Sequence, residues 1–417
     1  MSVSLRPGPF GVLRRNGTPF SGRRLKSDPC SESWPAHATT RPVIPEYIQS
    51  LAPYVPGKPI EETRREFKLK KVVKLASNEN PLGCGRMARE AIARSLKEVH
   101  RYPDASAYLL KQAIRRLHRI EKDPRFGVLV GSGSNELIEL IIRTLCIPGD
   151  SIATTQGAFI AYKISAQAQG VKTIESPLPM DTLVMDLPAL LEKIRAEPRV
   201  RVVFLPNPNN PTGTYVNAQT LRTFVAAVTQ LHAGDIQVVL DDAYAEYVTA
   251  KDAPRAEDVM REFPEHVVML RTFSKVHGLG GLRVGYGLGS AKFFSFVDRI
   301  RMPFNVSSIG LAAAEAALKD VAHVRNSLRV NREGMKFWEK ELKRLAIPFF
   351  PSQGNFVLAD VWRGLGKTGG EVFQECLRKG VIFRPVTNYG LPHFLRISIG
   401  TSSENRFALK RLQQWKR

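Results

Sequence analysis

Short runs rich in β-branched and apolar residues recur along this chain between stretches of helical periodicity, and that alternation constrains the fold more than any other feature. VKLAS, FGVLVG, SIATT, RVVFLP, QVVLDD and HVVMLRTF each carry turn-forming or polar residues at one end. Strands alternating with helices imply a mainly parallel sheet with helices on both faces. Runs as continuously apolar as VVFL and VVL are what strands buried on both faces require. After the stretch RMPFN a long helical pattern, SSIGLAAAEAALKDVAHVRNSLRVNREGMKFWEKELKRL, gives way to short strands in FFPSQGNFVLADV, VIFRPV and FLRISIG. This second pattern predicts a smaller α+β domain. The expected organisation is an N-terminal arm over 43–75 that joins the small domain, a large domain over 76–305 and the small domain over 306–417.

The first 42 residues have no such periodicity. They hold seven Arg and Lys against Asp28 and Glu32, and read as a disordered basic extension. They suit an Arg-rich transit segment, and equally a solvated tail or an over-extended start. The charge of +22 over 417 residues raises the question of nucleic acid. Outside the extension the excess is scattered through helical stretches such as LLKQAIRRLHRIEK, with no nucleic-acid motif around it, so a solvated basic surface is expected. No run approaches the roughly 18 apolar residues of a membrane span. The cysteines at 30, 84, 146 and 376 lie far apart without a C-x-x-C pair, which fits a reducing, cytoplasmic setting and no metal site.

Four segments carry chemistry, each at an expected strand exit. In FSKVHGLGGLRVGYG, residues 273–287, a lysine follows a strand and precedes a glycine-rich turn. A Schiff-base lysine attacks only as a neutral amine, so it needs desolvation or nearby cations, and Arg283 offers one. In GSGSNEL, residues 131–137, backbone N–H groups converge at a helix start where an anion is favoured, with Ser134 or Asn135 as the alternative N-cap. LDDAYAEY, residues 240–247, puts two carboxylates at the end of a buried strand. A buried aspartate there is costly unless it meets a cation. PNPNNPTG, residues 206–213, exposes the Asn210 amide at the same sheet edge. By contrast GLGKTGG at 364–370 has Val361 where a phosphate loop needs glycine, and His277 reads as a polar loop residue.

The joint order of these segments resembles the fold-type-I pyridoxal-phosphate-dependent aminotransferases, and within them the histidinol-phosphate aminotransferase group. ASNENPLG at 76–83, RYPD at 101–104 and FRPVTNYGLPHFLRISIGT at 383–401 add to the likeness, which runs from about Val43 to the C-terminus. The resemblance implies a pyridoxal 5'-phosphate cofactor carried by Lys275, with Asp241 on its ring nitrogen and Asn210 and Tyr244 on its phenolic oxygen. It implies Ser134, Asn135, Ser274 and Arg283 on the cofactor phosphate, and Tyr102 reaching that phosphate from a neighbouring subunit of a homodimer. Phe159 stands where a tyrosine often stacks on the ring, so a hydroxyl contact is lost there. Arg396 is implied as the clamp for the substrate's anionic group, with Arg384 assisting and Asn80 also on the substrate side. The expected activity is transfer from histidinol phosphate to 2-oxoglutarate. Aromatic-amino-acid transamination and threonine-phosphate decarboxylation share these motifs. A transcription regulator with an aminotransferase-like sensor would need a helix-turn-helix module that 42 aperiodic residues do not supply.

Overall fold

The computed structural model describes residues 43–54 and 56–416, so the extension read at 1–42 lies outside the described residues. Contacts set Met1–Pro45 apart from Glu46–Arg417, and every element below belongs to the latter unit. Its centre is a seven-stranded sheet of β2 (Phe126–Gly131), β3 (Ser151–Thr155), β4 (Lys172–Ser176), β5 (Val200–Pro206), β6 (Gln237–Asp241), β7 (Val267–Thr272) and β8 (Gly285–Ser290). The spatial order is β2, β8, β7, β6, β5, β3, β4, and all neighbours run parallel except those involving β8.

The continuous apolar runs are divided residue by residue between the two sheet faces, as a period of two demands. Val203 and Leu205 of β5, Val238 of β6 and Met269 of β7 join one core, against the helices Leu187–Ala196 and Ala218–Val228. Val202, Phe204, Val239 and Val268 join the opposite core, against Gly133–Leu145, Ala161–Gln167 and Ala291–Ile300.

β8 was expected to be part of a glycine-rich turn and is a buried strand. Its glycines admit a close approach: a Cβ at Gly285 would lie 2.5 Å from the Ser134 backbone nitrogen, and one at Gly289 3.0 Å from Val268. The long helical pattern is also broken, into Ser308–Lys319 and Val321–Arg344. Between them Asp320 caps the second helix by accepting from His323 N at 3.1 Å and ties in the Met87 amide at 3.2 Å. Ala313, Ala314 and Ala317 of the first helix lie in the core beside the large sheet. We propose that the two domains divide at Asp320.

The remaining strands form smaller sheets. β1 (Val73–Lys74) pairs in parallel with β11 (Val381–Ile382), and β9 (Phe349–Phe350), β10 (Phe356–Asp360), β12 (Arg384–Val386) and β13 (Leu391–Ser398) form an antiparallel sheet ordered β12, β13, β10, β9. Val73, Leu75, Trp338, Phe383, Leu395 and Ile397 share one core there. Among the described residues no helix is long and apolar enough to cross a membrane.

Candidate active site

A cavity of about 200 Å³ opens where the carboxyl ends of β5, β6 and β7 meet the antiparallel sheet. Open α/β sheets bind ligands at this edge because the strand ends and the following helix N-termini present unpaired polar groups there. Lys275, Asp241 and Tyr244 line it, as do Asn210, Phe159 and the two arginines Arg384 and Arg396.

Lys275 follows β7 and is enclosed. Its Nζ donates to the Ser77 carbonyl at 3.3 Å and stands 5.6 Å from the centre of the Tyr244 ring. Burial, reinforced by the Arg396 and Arg283 charges, pushes its amine down to about 8. A lysine so placed has a reactive neutral fraction near neutral pH.

Asp241 ends β6, and its two oxygens have different fates. Oδ2 accepts a hydrogen bond from Tyr162 at 2.6 Å, while Oδ1 is buried without a partner. Burial raises its proton affinity, and the Tyr162 hydrogen bond works against that shift. An orphaned carboxylate oxygen at a cavity wall is suited to a cationic N–H donor such as a protonated pyridine ring. Tyr162 was not anticipated from sequence. It is fully buried, stacked on Phe204 with ring centres 4.6 Å apart, and edge-on to Phe159 at 5.8 Å. Phe159 precedes the helix Ala161–Gln167 and Tyr162 lies in its first turn, so no helical periodicity marked the pair in the sequence. Only the first of the two adjacent carboxylates serves the cavity. Asp242 turns to Arg271, at 2.8 Å, which Glu246 and Glu257 also approach, and burial pushes the Asp242 carboxyl up to about 8.

At the other end of the cavity the helix Gly133–Leu145 begins two or three residues earlier than an N-cap at Ser134 or Asn135 implies. Ser132 holds the N-cap position, so Ser134 and Asn135 lie inside the first turn rather than capping it. Both line the cavity with Ser274 and Arg283. Arg283 has φ +53° and donates to the Gly280 carbonyl at 2.9 Å and to Ser274 Oγ at 3.3 Å. Gly133, at φ +73°, leaves the space that the guanidinium fills, because a Cβ there would meet Arg283 Nη2 at 2.3 Å. Helix N–H groups, two hydroxyls and a guanidinium make a cradle whose chemistry fits a phosphate group.

Arg396 of β13 donates to Asn210 Oδ1 and to the Ala76 carbonyl, and its guanidinium lies 5.4 Å from the centre of the Phe356 ring. Arg384 of β12 is its direct cross-strand partner.

Two expectations change. Asn80 was assigned to the substrate side, but it does not line the cavity: Nδ2 donates to the Val276 carbonyl at 2.7 Å and to Ser327 Oγ at 2.8 Å, and Oδ1 accepts from Leu82 N at 3.0 Å. The asparagine that reaches the site from this loop is Asn78, whose Nδ2 donates to the Tyr244 hydroxyl at 2.9 Å. Asn78 sits at φ +55°, which asparagine tolerates better than most residues. His277 is buried against Phe273 rather than polar and exposed. Tyr102 lies outside this chain's cavity, 83% exposed, with its ring stacked on Phe304 at 4.7 Å. The G-K-T decoy is a helix start, with Thr368 and Glu371 forming a capping box.

Comparison with known proteins bears on the family and the fold. Residues 70–412 match the family model of class I and II aminotransferases. The chain is 46% identical over 374 residues to a histidinol-phosphate aminotransferase of Anaeromyxobacter sp. (strain Fw109-5), covering 89% of this chain and 98% of that one. It is 39% identical over 394 residues to a histidinol-phosphate aminotransferase of Moorella thermoacetica, covering 94% and 97%. The crystal structure of histidinol-phosphate aminotransferase from Sinorhizobium meliloti in complex with pyridoxal-5'-phosphate superposes with a TM-score of 0.78 at 26% identity, over 90% of this chain and 98% of that chain. Aspartate aminotransferase from Thermus thermophilus with maleate shares the fold, with a TM-score of 0.76 at 19% identity, over 89% and 99%. On sequence and fold together, this chain belongs to the class I and II aminotransferase family.

Proposed function

We propose that this chain is a pyridoxal-phosphate-dependent aminotransferase that passes the amino group of histidinol phosphate to 2-oxoglutarate. The observation that carries the reading is the pairing of Arg384 with Arg396, directly opposite each other on neighbouring strands, at the wall of the cavity that holds Lys275. Two guanidiniums on one cavity wall attract anions, and a dianionic phosphomonoester can engage both more fully than a single carboxylate does. The histidinol-phosphate aminotransferases among its relatives support the same choice.

Bound pyridoxal phosphate supplies an electron sink that stabilises negative charge at the substrate's Cα. Lys275 Nζ would hold the cofactor and would move the proton at the substrate's Cα. Asp241 Oδ1 keeps the ring nitrogen protonated, with Tyr162 fixing the carboxylate's orientation from behind. Asn210 and Tyr244 reach the phenolic oxygen, and Asn78 orients the Tyr244 hydroxyl. Ser134, Asn135, Ser274 and Arg283 hold the cofactor phosphate, and Phe159 stacks on the ring. Arg396 clamps the substrate's anionic group. The reading carries with it a cytoplasmic homodimer, in which the exposed Tyr102 ring reaches the cofactor phosphate of a second copy.

Exchange of Arg384 for glutamine tests the substrate. The variant should lose roughly ten- to hundredfold in kcat/KM for histidinol phosphate, the loss of one charge-assisted contact, and clearly less for glutamate. An unaffected phosphate substrate, with phenylalanine the better donor for the unmodified enzyme, would replace the reading by an aromatic aminotransferase.

A further inference from the structure

The two arginine strands are joined by a short turn, and that turn returns a tyrosine to the same cavity. Thr387–Tyr389 forms a single 3-10 turn after β12, closed by Gly390 at φ +77°, whose amide donates to the Thr387 carbonyl at 3.0 Å. The pairing of β12 with β13 shifts register between Pro385 and Val386, so the irregularity falls between the arginine pair and the turn. Such irregularities re-aim side chains. Tyr389 lines the cavity with both arginines and is only 8% exposed.

Its ring is anchored. Leu178, Leu183, Leu358, Val386 and Leu391 pack with it in one apolar cluster. The hydroxyl end is different in character. Burial holds the phenol's proton on, while the Arg396 and Arg384 charges act in the opposite sense, so both guanidiniums are within electrostatic reach of that oxygen. Two other tyrosines of the site have protein partners: Tyr162 donates to Asp241, and Tyr244 accepts from Asn78. The Tyr389 hydroxyl makes no hydrogen bond among the described residues. A neutral O–H donor beside two cations is therefore available to an anion that the cations attract.

Oxygen counting then separates the anions. A carboxylate presents two oxygens in one plane, and planar guanidiniums match that geometry. A phosphomonoester presents three terminal oxygens arranged tetrahedrally, so one projects away from the pair of guanidiniums and needs a further donor.

We infer that Tyr389 is a specificity-determining residue whose phenol hydroxyl donates to the third terminal oxygen of a phosphomonoester substrate held by Arg384 and Arg396. The inference rests on the phosphate-substrate reading above and extends it to discrimination between the two half-reactions. Histidinol phosphate would use the hydroxyl, and glutamate would not need it.

The test compares the cofactor-loaded enzyme with its Tyr389→Phe variant, which keeps the anchored ring and removes only the donor. Steady-state constants are measured with histidinol phosphate and, separately, for the half-reaction with glutamate. The expected result is a rise of about tenfold in KM for histidinol phosphate, with kcat changed much less and a loss in kcat/KM several times larger than that for glutamate. Equal losses on both substrates, or none on either, in an enzyme that turns over histidinol phosphate would overturn the role of Tyr389 alone. Failure of the unmodified enzyme to turn over histidinol phosphate would overturn the substrate assignment, and the inference with it.

Discussion

Lys275→Ala should lower turnover by roughly three orders of magnitude or more, because the covalent attachment and the proton transfer vanish together. The same variant should still bind pyridoxal phosphate through the cradle of Ser134, Ser274 and Arg283, which does not involve Lys275. A pH dependence accompanies this. The amine is pushed down to about 8, so in the cofactor-free protein its neutral fraction grows about tenfold per pH unit up to that value and then levels off. Covalent capture of added pyridoxal phosphate by the unmodified chain should follow the same curve. A capture rate that keeps climbing beyond pH 10, as for a solvated lysine, would mean that the enclosure of Lys275 does not lower its proton affinity.

The position of this lysine was legible before the fold was known, and the reason is physical. β5, β6 and β7 are buried on both faces and so are almost wholly apolar, which makes their ends conspicuous; the polar residues at or just past those ends, Asn210, Asp241 and Lys275, are the ones the sheet edge presents. β8 was not legible, because its glycines are chosen for the approach of the helix at Ser134 and of Val268 rather than for strand propensity. The break at Asp320 was hidden because helical periodicity continues on both sides of a single capping residue. Asn80 and Asn78 are indistinguishable by type and spacing; which one faces the cavity depends on the contacts of Asn80 with Val276 and Ser327, far away in the chain. Tyr162 reads as one more core aromatic until the Asp241 oxygen it meets is located.

Asp241→Asn carries the second large effect. Removing a preorganised charge partner of the reacting system costs about a hundred- to a thousandfold in comparable sites, and a loss of that order is expected in kcat. The fold should survive, and the cofactor-free protein gives a readout independent of catalysis. Burial raises the Asp241 proton affinity above its usual value, so the folded chain holds that proton more tightly than the unfolded one. Stability then falls as pH rises from the usual carboxyl range through the raised value, because the folded chain disfavours the charged form. A neutral amide that still accepts from Tyr162 removes that penalty. The cofactor-free variant should therefore unfold at the same temperature as the parent or a higher one at pH 7, while the loaded enzyme loses activity. Near-normal kcat in the variant would mean that Oδ1 does not face the cofactor ring. A markedly lower unfolding temperature would mean that the charge has a protein partner.

The most direct test of the whole account is to reduce the purified holoenzyme with borohydride, digest it and locate the cofactor on the peptides by mass. The account predicts a yellow protein that bleaches on reduction, with one pyridoxyl group per chain on the peptide containing Lys275. Recovery of the label on any other lysine, or a protein to which reduction fixes no cofactor, would contradict it.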